Sequence, residues 1–426
     1  MRYLVVSLMV AAAMAAAVLQ PPEAVEHEPV PGTELPPVSI CPIVESGDRQ
    51  TNVSVLSSVN GQGRLSAFAA GSESGAVDFR TGSTGAVTIP AAEADAVADA
   101  GGLVEMPSDT TASAVTVAGP NSRAAESCAD IPAGEVFISG GSTASGEFFD
   151  LQLINPYAGE AIVDLTVTTD TGIESNDRFN AVVVPPLSAI TVDMTEIIPG
   201  RAEISVDLAT TRGSVLAYGR QTIDGEVALW RAVPPQQDWW LPVPEGGATK
   251  QMVIATPESV EVEYQVDLYG PEGYVEGHAT GVLEPRGRAV VPLAEITEQA
   301  AGVRVITTGP VVPALQVDSP AGLARTTASP VDAPVWLLPG ASAPPGGSGS
   351  LVILNTGIEP ATVSIRSLGQ SDLIRTLEVD AEAVLVNDMI AADGYRVEAT
   401  GPVVALWTSG LGGAGSAAIG IPLQDG

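Results

Sequence analysis

The side chains that most often perform chemistry are scarce in this chain: it holds two histidines, His27 and His278, and two cysteines, Cys41 and Cys128. Structural or catalytic zinc takes three or four nitrogen and sulfur ligands, and residues so scattered do not supply them. Serine hydrolysis needs a nucleophile beside a base, yet no Gly-x-Ser-x-Gly is present, and His278 lies in a strand-and-turn context, Gly273-Tyr-Val-Glu-Gly-His. Gly413-Ala-Gly415-Ser-Ala-Ala418 fits a dinucleotide fingerprint only superficially, because it does not open a helix after a first strand; it reads as a turn. Paired carboxylates can hydrolyse glycosides, but among 51 acidic residues Glu45, Glu147 and Asp150 carry no mark separating them from surface acids. The acidic turn Glu174-Ser-Asn-Asp177 lacks the spaced ligands of a calcium loop. The expectation is therefore no catalytic residue, no cofactor and no metal.

Two groups of residues remain. The cysteines form an even pair, which in an exported chain reads as a Cys41–Cys128 disulfide. The tryptophans Trp239, Trp336 and Trp407 are candidates for a ligand surface, since stacked aromatics can bind sugars. Packing at repeat boundaries is the competing reading, with Trp240 and Trp336 opening equivalent strands. Neighbours on a strand point to opposite faces, so Trp239 is expected to be the exposed member of the Trp239-Trp240 pair.

The formal net charge is −33, and Lys250 is the only lysine among 18 basic residues. A field of that sign repels phosphate backbones and anionic headgroups, so neither nucleic acid nor a membrane surface is an expected partner. Met1-Arg2 precedes an uncharged apolar stretch from Tyr3 to Leu19 ending near Ala15-Ala16-Ala17. That is the layout of a signal peptide or a single N-terminal membrane anchor, and both export the remainder. Residues 20–38, rich in proline and acid, read as a semi-rigid linker.

What positions these residues is a repeat. Ala209-Thr-Thr-Arg-Gly-Ser-Val-Leu-Ala, Ile306-Thr-Thr-Gly-Pro-Val-Val-Pro-Ala and Glu398-Ala-Thr-Gly-Pro-Val-Val-Ala-Leu echo one another, their glycines 96 and 92 residues apart. Between the echoes lie short alternating strands such as Val163-Asp-Leu-Thr-Val, Val262-Glu-Tyr-Gln-Val and Ala361-Thr-Val-Ser-Ile, divided by Gly, Pro and Asn turns. The pattern predicts an all-β tandem array of β-sandwich repeats of immunoglobulin-like size, about 95 residues each. The units fall at 39–130, 131–234, 235–330 and 331–426, the first irregular and tied by the disulfide, with a helix expected over Pro90 to Ala100. A β-propeller is the alternative, although it requires a period near 45 that is absent.

The order of these motifs resembles the actinobacterial exported proteins grouped as domain of unknown function 5719. The residues carrying the likeness are Gly140-Gly141 before Phe149 to Pro156, Val182-Val-Val-Pro-Pro-Leu-Ser-Ala, and the Trp240-Leu-Pro and Trp336-Leu-Leu-Pro openings with their Thr-Gly-Pro-Val-Val partners. It covers residues 130 to 425, and the first unit departs from it. The resemblance implies no activity and transfers no catalytic residue. The expectation it leaves is a non-enzymatic exported protein of the cell envelope, a scaffold or adaptor for a protein partner, or else a module binding cell-wall glycan.

Overall fold

The computed structural model describes residues 38–423, apart from the short segments 45–48, 58, 70, 83–84, 96–99, 107–110, 120–122, 130–134, 246–248, 271–272, 294–299, 320–321, 343–347, 369–373 and 411–415. The apolar N-terminal stretch and the linker up to residue 37 lie outside them. The described chain is nearly all β, and the sheet pairings are antiparallel.

In the first unit the strands are β1 (Val38–Ile43), β2 (Gln50–Ser57), β3 (Gln62–Ala69), β4 (Ser72–Arg80), β5 (Ala86–Pro90), β6 (Ala100–Glu105), β7 (Thr111–Ala118) and β8 (Arg123–Ser127). They form two sheets, ordered β1-β6-β3-β4 and β5-β2-β7-β8. The second unit contains β9 (Glu135–Gly141), β10 (Glu147–Asn155), β11 (Ala161–Thr169), β12 (Gly172–Glu174), β13 (Val182–Val184), β14 (Ser188–Asp193), β15 (Ile204–Arg212), β16 (Leu216–Ile223) and β17 (Glu226–Arg231). Its sheets run β9-β15-β11-β12 and β14-β10-β16-β17, the same order with β13 added beside β11. The first unit, expected to be irregular, thus shares the topology of its neighbour.

The third unit comprises β18 (Gln236–Val243), β19 (Thr249–Ala255), β20 (Val262–Gly270), β21 (Gly273–Leu283), β22 (Arg288–Pro292), β23 (Ala301–Ser319) and β24 (Gly322–Thr327). The fourth comprises β25 (Ala333–Pro339), β26 (Ser348–Asn355), β27 (Ala361–Leu368), β28 (Ile374–Val379), β29 (Val384–Asp388), β30 (Gly394–Gly410), β31 (Ser416–Ile419) and β32 (Ile421–Pro422). Here one long strand serves both sheets: Ala301 to Thr307 of β23 pair with β18 and β20, and Val312 to Ser319 pair with β19 and β24. In the same way β30 pairs with β25 and β27 up to Ala399, and with β26 and β31 from Val403 onward.

The Thr-Gly-Pro-Val-Val echo marks this crossing. Proline has no N–H to give a ladder, so Pro310 and Pro402 sit where the strand leaves one sheet for the other. Thr308 and Thr400 accept hydrogen bonds at 2.9 Å from the backbone N–H groups of Glu263 and Thr362, near the starts of β20 and β27. In the second unit Gly213, at φ +72°, breaks the strand in two at the equivalent place. The strand orders jump between sheets, whereas a propeller blade is a single meander, so the sheets are halves of sandwiches.

The sandwiches close into a ring. Strand β8 lies against β17, β17 against β24, β24 against β31, and β31 against β8, so one late strand of each unit meets those of both neighbours. Three seams share one steric device. A Cβ on Gly101 would come within 2.7 Å of Ile154, one on Gly394 within 2.8 Å of Leu56, and one on Gly302 would overlap Leu354. Each glycine lies at the start of the strand that pairs with its unit's first strand, and the next unit supplies the large side chain. That the pair Gly394–Leu56 joins the fourth unit back to the first shows the ring to be closed. Polar bonds tie the seams as well: Tyr218 donates to Ile40 O at 2.8 Å, Gln316 to Gly140 O at 2.7 Å and Ser127 to Ile419 O at 2.6 Å.

Two expectations are corrected. The helix over Pro90 to Ala100 is a 3₁₀ turn, Ala91–Ala94, ended by Asp95 at φ 51°, and Ala100 already begins β6. Strand β17 was not expected, although Asp224-Gly225 announces it: both residues have positive φ, as a tight two-residue hairpin requires.

Candidate functional site

The tryptophans do not form a ligand platform. Trp239 and Trp336 are both 0% exposed and are the equivalent pair, correcting the pairing of Trp336 with Trp240. Trp239 Nε1 donates to Gln236 O and Val311 O, and Trp336 Nε1 to Ala333 O and Val403 O. Alternation along β18 turns Trp239 into the sandwich and Trp240 outward, the reverse of the expected assignment. Trp240 is covered instead by the Arg304 guanidinium, 4.5 Å from its ring, which Asp238 holds through two hydrogen bonds.

Trp407 differs. It is 2% exposed and belongs to the fourth core, but it also lines a hollow of 310 Å³ at the ring-closing seam. Its indole N–H has no acceptor among the described residues, whereas those of Trp230, Trp239 and Trp336 each donate to backbone oxygens.

The first unit supplies one wall of this cleft. In β2, Thr51, Val53 and Val55 are buried, and alternation sends Asn52 and Ser54 to the opposite face, joined by Thr88 of β5 and Thr116 of β7. Ser54 Oγ and Thr88 Oγ1 are 3.0 Å apart. In a solitary sandwich this face would be the ordinary polar exterior. Here the fourth unit stands across from it, with Gly340 and Ser342 after β25, Asp393 before β30, and Ser409 and Ser416 beside Trp407. Gly340, at φ +72°, is the close approach: a Cβ there would lie 3.1 Å from Ser54 Oγ and Thr116 Cγ2.

Arg123, the first residue of β8, completes the lining. It is half-buried and makes no ion pair among the described residues, and burial alone lowers its pKa. Other arginines without an ion pair among the described residues, such as Arg49 and Arg375, still donate to Gly225 O and Asn387 Oδ1. The larger hollow along β3 and β4 shows the contrast, because its Arg64 is already bonded to Glu73 and faces Asp78.

The expected surface acids are placed as follows. Asp150 is paired with Arg220 at 2.7 Å, and Glu174 accepts from Arg201, Thr169 and Thr171, which hold its carboxyl below the usual range. Glu45 and His27 lie outside the described residues, as do Gly413 to Gly415; Ser416 to Ala418 belong to β31. Among the described residues no group of three or more His, Cys, Asp or Glu is arranged to hold a metal. The cysteines are joined, Cys41 in β1 to Cys128 just after β8. A formed disulfide points to an extracytoplasmic location.

Near the centre of the ring, Glu126 of β8 is 3% exposed and accepts from the N–H groups of Ser127 at 2.8 Å and Arg231 at 3.2 Å. Burial pushes its carboxyl up to about 7, and burial together with Glu135 does the same to Asp207. A folded-state pKa above the unfolded value of 4.5 means that the folded form keeps a proton the unfolded form releases. Stability therefore falls as pH rises between those values, by about 1.4 kcal/mol per unit for one group. Denaturant midpoints should be higher at pH 5 than at pH 8, and Glu126→Gln should remove on the order of 2–3 kcal/mol of that difference. An unchanged pH slope in the variant would show that Glu126 does not titrate in this range.

The model for a family of unknown function, DUF5719, matches residues 89–382. The chain belongs to this family. Its match begins inside the first unit, extending the likeness back from residue 130 over β6, β7 and β8. No curated protein matches. Among solved structures, a Streptomyces avermitilis α-L-rhamnosidase complexed with L-rhamnose covers 84% of this chain and 53% of its own, at 8% identity and TM-score 0.14. The chain therefore spans about half the length of that protein. A tetra-tandem repeat from the extending region of a large adhesion protein covers 90% of this chain and 97% of its own, at 11% identity and TM-score 0.11. At such TM-scores neither likeness bears on fold or function.

Proposed function

We propose that the chain is a non-enzymatic exported protein of the cell envelope that binds a cell-wall saccharide in the cleft between its first and fourth units. The observation supporting this is one hollow lined by a row of hydroxyls, by Trp407 and by Arg123, which has no ion pair among the described residues. Its 310 Å³ lies within the range of small-molecule sites, roughly 300–1,000 Å³. The locked seams make the ring a rigid scaffold, so the walls are preorganised and little entropy is lost on binding. The apolar N-terminal stretch, cleaved or retained as an anchor, would deliver the ring outside the membrane. Calorimetric titration with solubilised cell-wall polysaccharide tests the reading. Wild type should bind and Thr88→Trp, which fills the cleft, should not; equal binding by both would exclude the cleft.

A second reading, an adaptor for a protein partner, is favoured by the outer edge of the third unit. There β21 ends its sheet, with Tyr274, Val275 and Val282 exposed along it. Such an edge accepts an added strand. Photo-cross-linking from Val275 in intact cells should then capture one defined envelope protein, and its absence would leave the saccharide reading alone.

A further inference from the structure

We infer that the cleft selects an acidic saccharide, one or two rings carrying a single carboxylate, with Arg123 as the anchor of that carboxylate. This rests on the reading of the cleft as a saccharide site and adds the charge of the ligand. The two walls of the hollow differ in charge. Arg123 enters from the first unit as a cation with no carboxylate partner among the described residues, while Asp393 lines the facing wall of the fourth unit. Arginine presents a planar fork of donors that matches a carboxylate edge to edge, and burying it without an anion leaves those donors poorly satisfied. Asp393 accepts only, so it suits sugar hydroxyls and repels a second negative charge.

On the same sheet as Arg123, Asn52, Ser54, Thr88 and Thr116 offer donors and acceptors from one face, Asn52 and Ser54 at the two-residue spacing along β2 that a ring with several hydroxyls can bridge. The surrounding charge of −33 works against anions in general. An anion admitted here must therefore be compensated locally, and Arg123 is the cation that lines the cleft. A saccharide phosphate would bring up to two charges towards Asp393 and is disfavoured for that reason.

The five tryptophans make the test direct, because the full chain labelled with ¹⁵N-indole tryptophan gives one side-chain N–H signal each. Trp407→Phe identifies the Trp407 signal by its loss. Titration with glucuronic acid and with N-acetylmuramic acid should shift the Trp407 signal saturably. Glucose and glucose 6-phosphate should bind about tenfold more weakly or worse, the factor expected for one charge-assisted contact. Arg123→Gln should reduce affinity for the two acids by about tenfold or more, leave that for glucose unchanged, and regain part of the loss as Arg123→Lys.

If glucose and the acids bind equally and Arg123→Gln has no effect, the acid assignment is overturned while the saccharide site stands. If the phosphate binds best, the anchor is right and the carboxylate is wrong. If no saccharide moves the Trp407 signal, both the inference and the saccharide reading fall.

Discussion

Reducing the Cys41–Cys128 disulfide should lower the unfolding free energy by about 4–5 kcal/mol, the chain-entropy value for a bridge spanning this many residues. The two cysteines are 87 apart in sequence, and they join the first strand of the first unit to the end of its last. Ile40 and Ala129 beside them exchange two backbone hydrogen bonds, so the bridge lies where the chain already returns on itself. Its loss matters beyond this unit. Strand β8 touches both β17 and β31, and whatever frees its end loosens the first unit's contact with two neighbours at once. Because the seams couple the units, melting should remain a single transition whose midpoint falls by roughly 5 °C. Thermal melts with and without reductant, thiol release being confirmed by mass spectrometry, check this. An unchanged midpoint in the reduced protein would show that ring packing alone holds the first unit together.

Replacing Trp239 with alanine should destabilise the chain by about 3–5 kcal/mol, the cost of deleting a fully buried indole and leaving its cavity. Two backbone carbonyls, those of Gln236 and Val311, also lose their donor, at 3.0 and 2.9 Å. Val311 is part of the echo at the sheet crossing, so the indole fastens the point where β23 changes sheets. Trp239→Phe keeps most of the volume and should cost about half as much, with the unsatisfied carbonyls accounting for much of what remains. Denaturant midpoints of the two variants give the comparison. A loss below about 1 kcal/mol for the alanine variant would mean the side chain is solvated after all.

The repeat was legible because it is written in residues whose backbone demands are strong. Proline without an N–H, glycine at positive φ and alternating apolar side chains each constrain the chain within a few positions, so Val163-Asp-Leu-Thr-Val, Val262-Glu-Tyr-Gln-Val and Ala361-Thr-Val-Ser-Ile all fall within strands, β11, β20 and β27. The first unit looked irregular for a related reason. It lacks the Thr-Gly-Pro-Val-Val residues, and β6 and β7 are separate strands rather than one continuous one, yet its strand order is that of the second unit. Topology depends on which edges pair, and different turn chemistry can reach the same pairing.

The candidate site was largely illegible. Asn52, Ser54, Thr88, Thr116 and Arg123 are ordinary polar residues with no motif or spacing to single them out. Nothing local shows that residues 340 to 342 will stand opposite them. Trp407 alone was singled out, as one aromatic among three, and the other two proved to be core. The Trp239–Trp240 reversal shows the limit plainly: alternation says that neighbours face opposite ways, but which way is inward depends on the sheet's register with its partner.

The sequence by itself determined an all-β chain of repeated units of about 95 residues, three of them regular, and the pairing of its two cysteines, because turn residues and alternating apolar side chains act over short distances. Only the tertiary structure decided that the units close into a ring and that the closing seam, besides its Gly394–Leu56 contact, holds a polar cleft around Arg123 and Trp407. Closure depends on contacts between residues some 300 positions apart, such as Leu56 with Gly394 and Ser127 with Ile419, and local propensity carries no record of them.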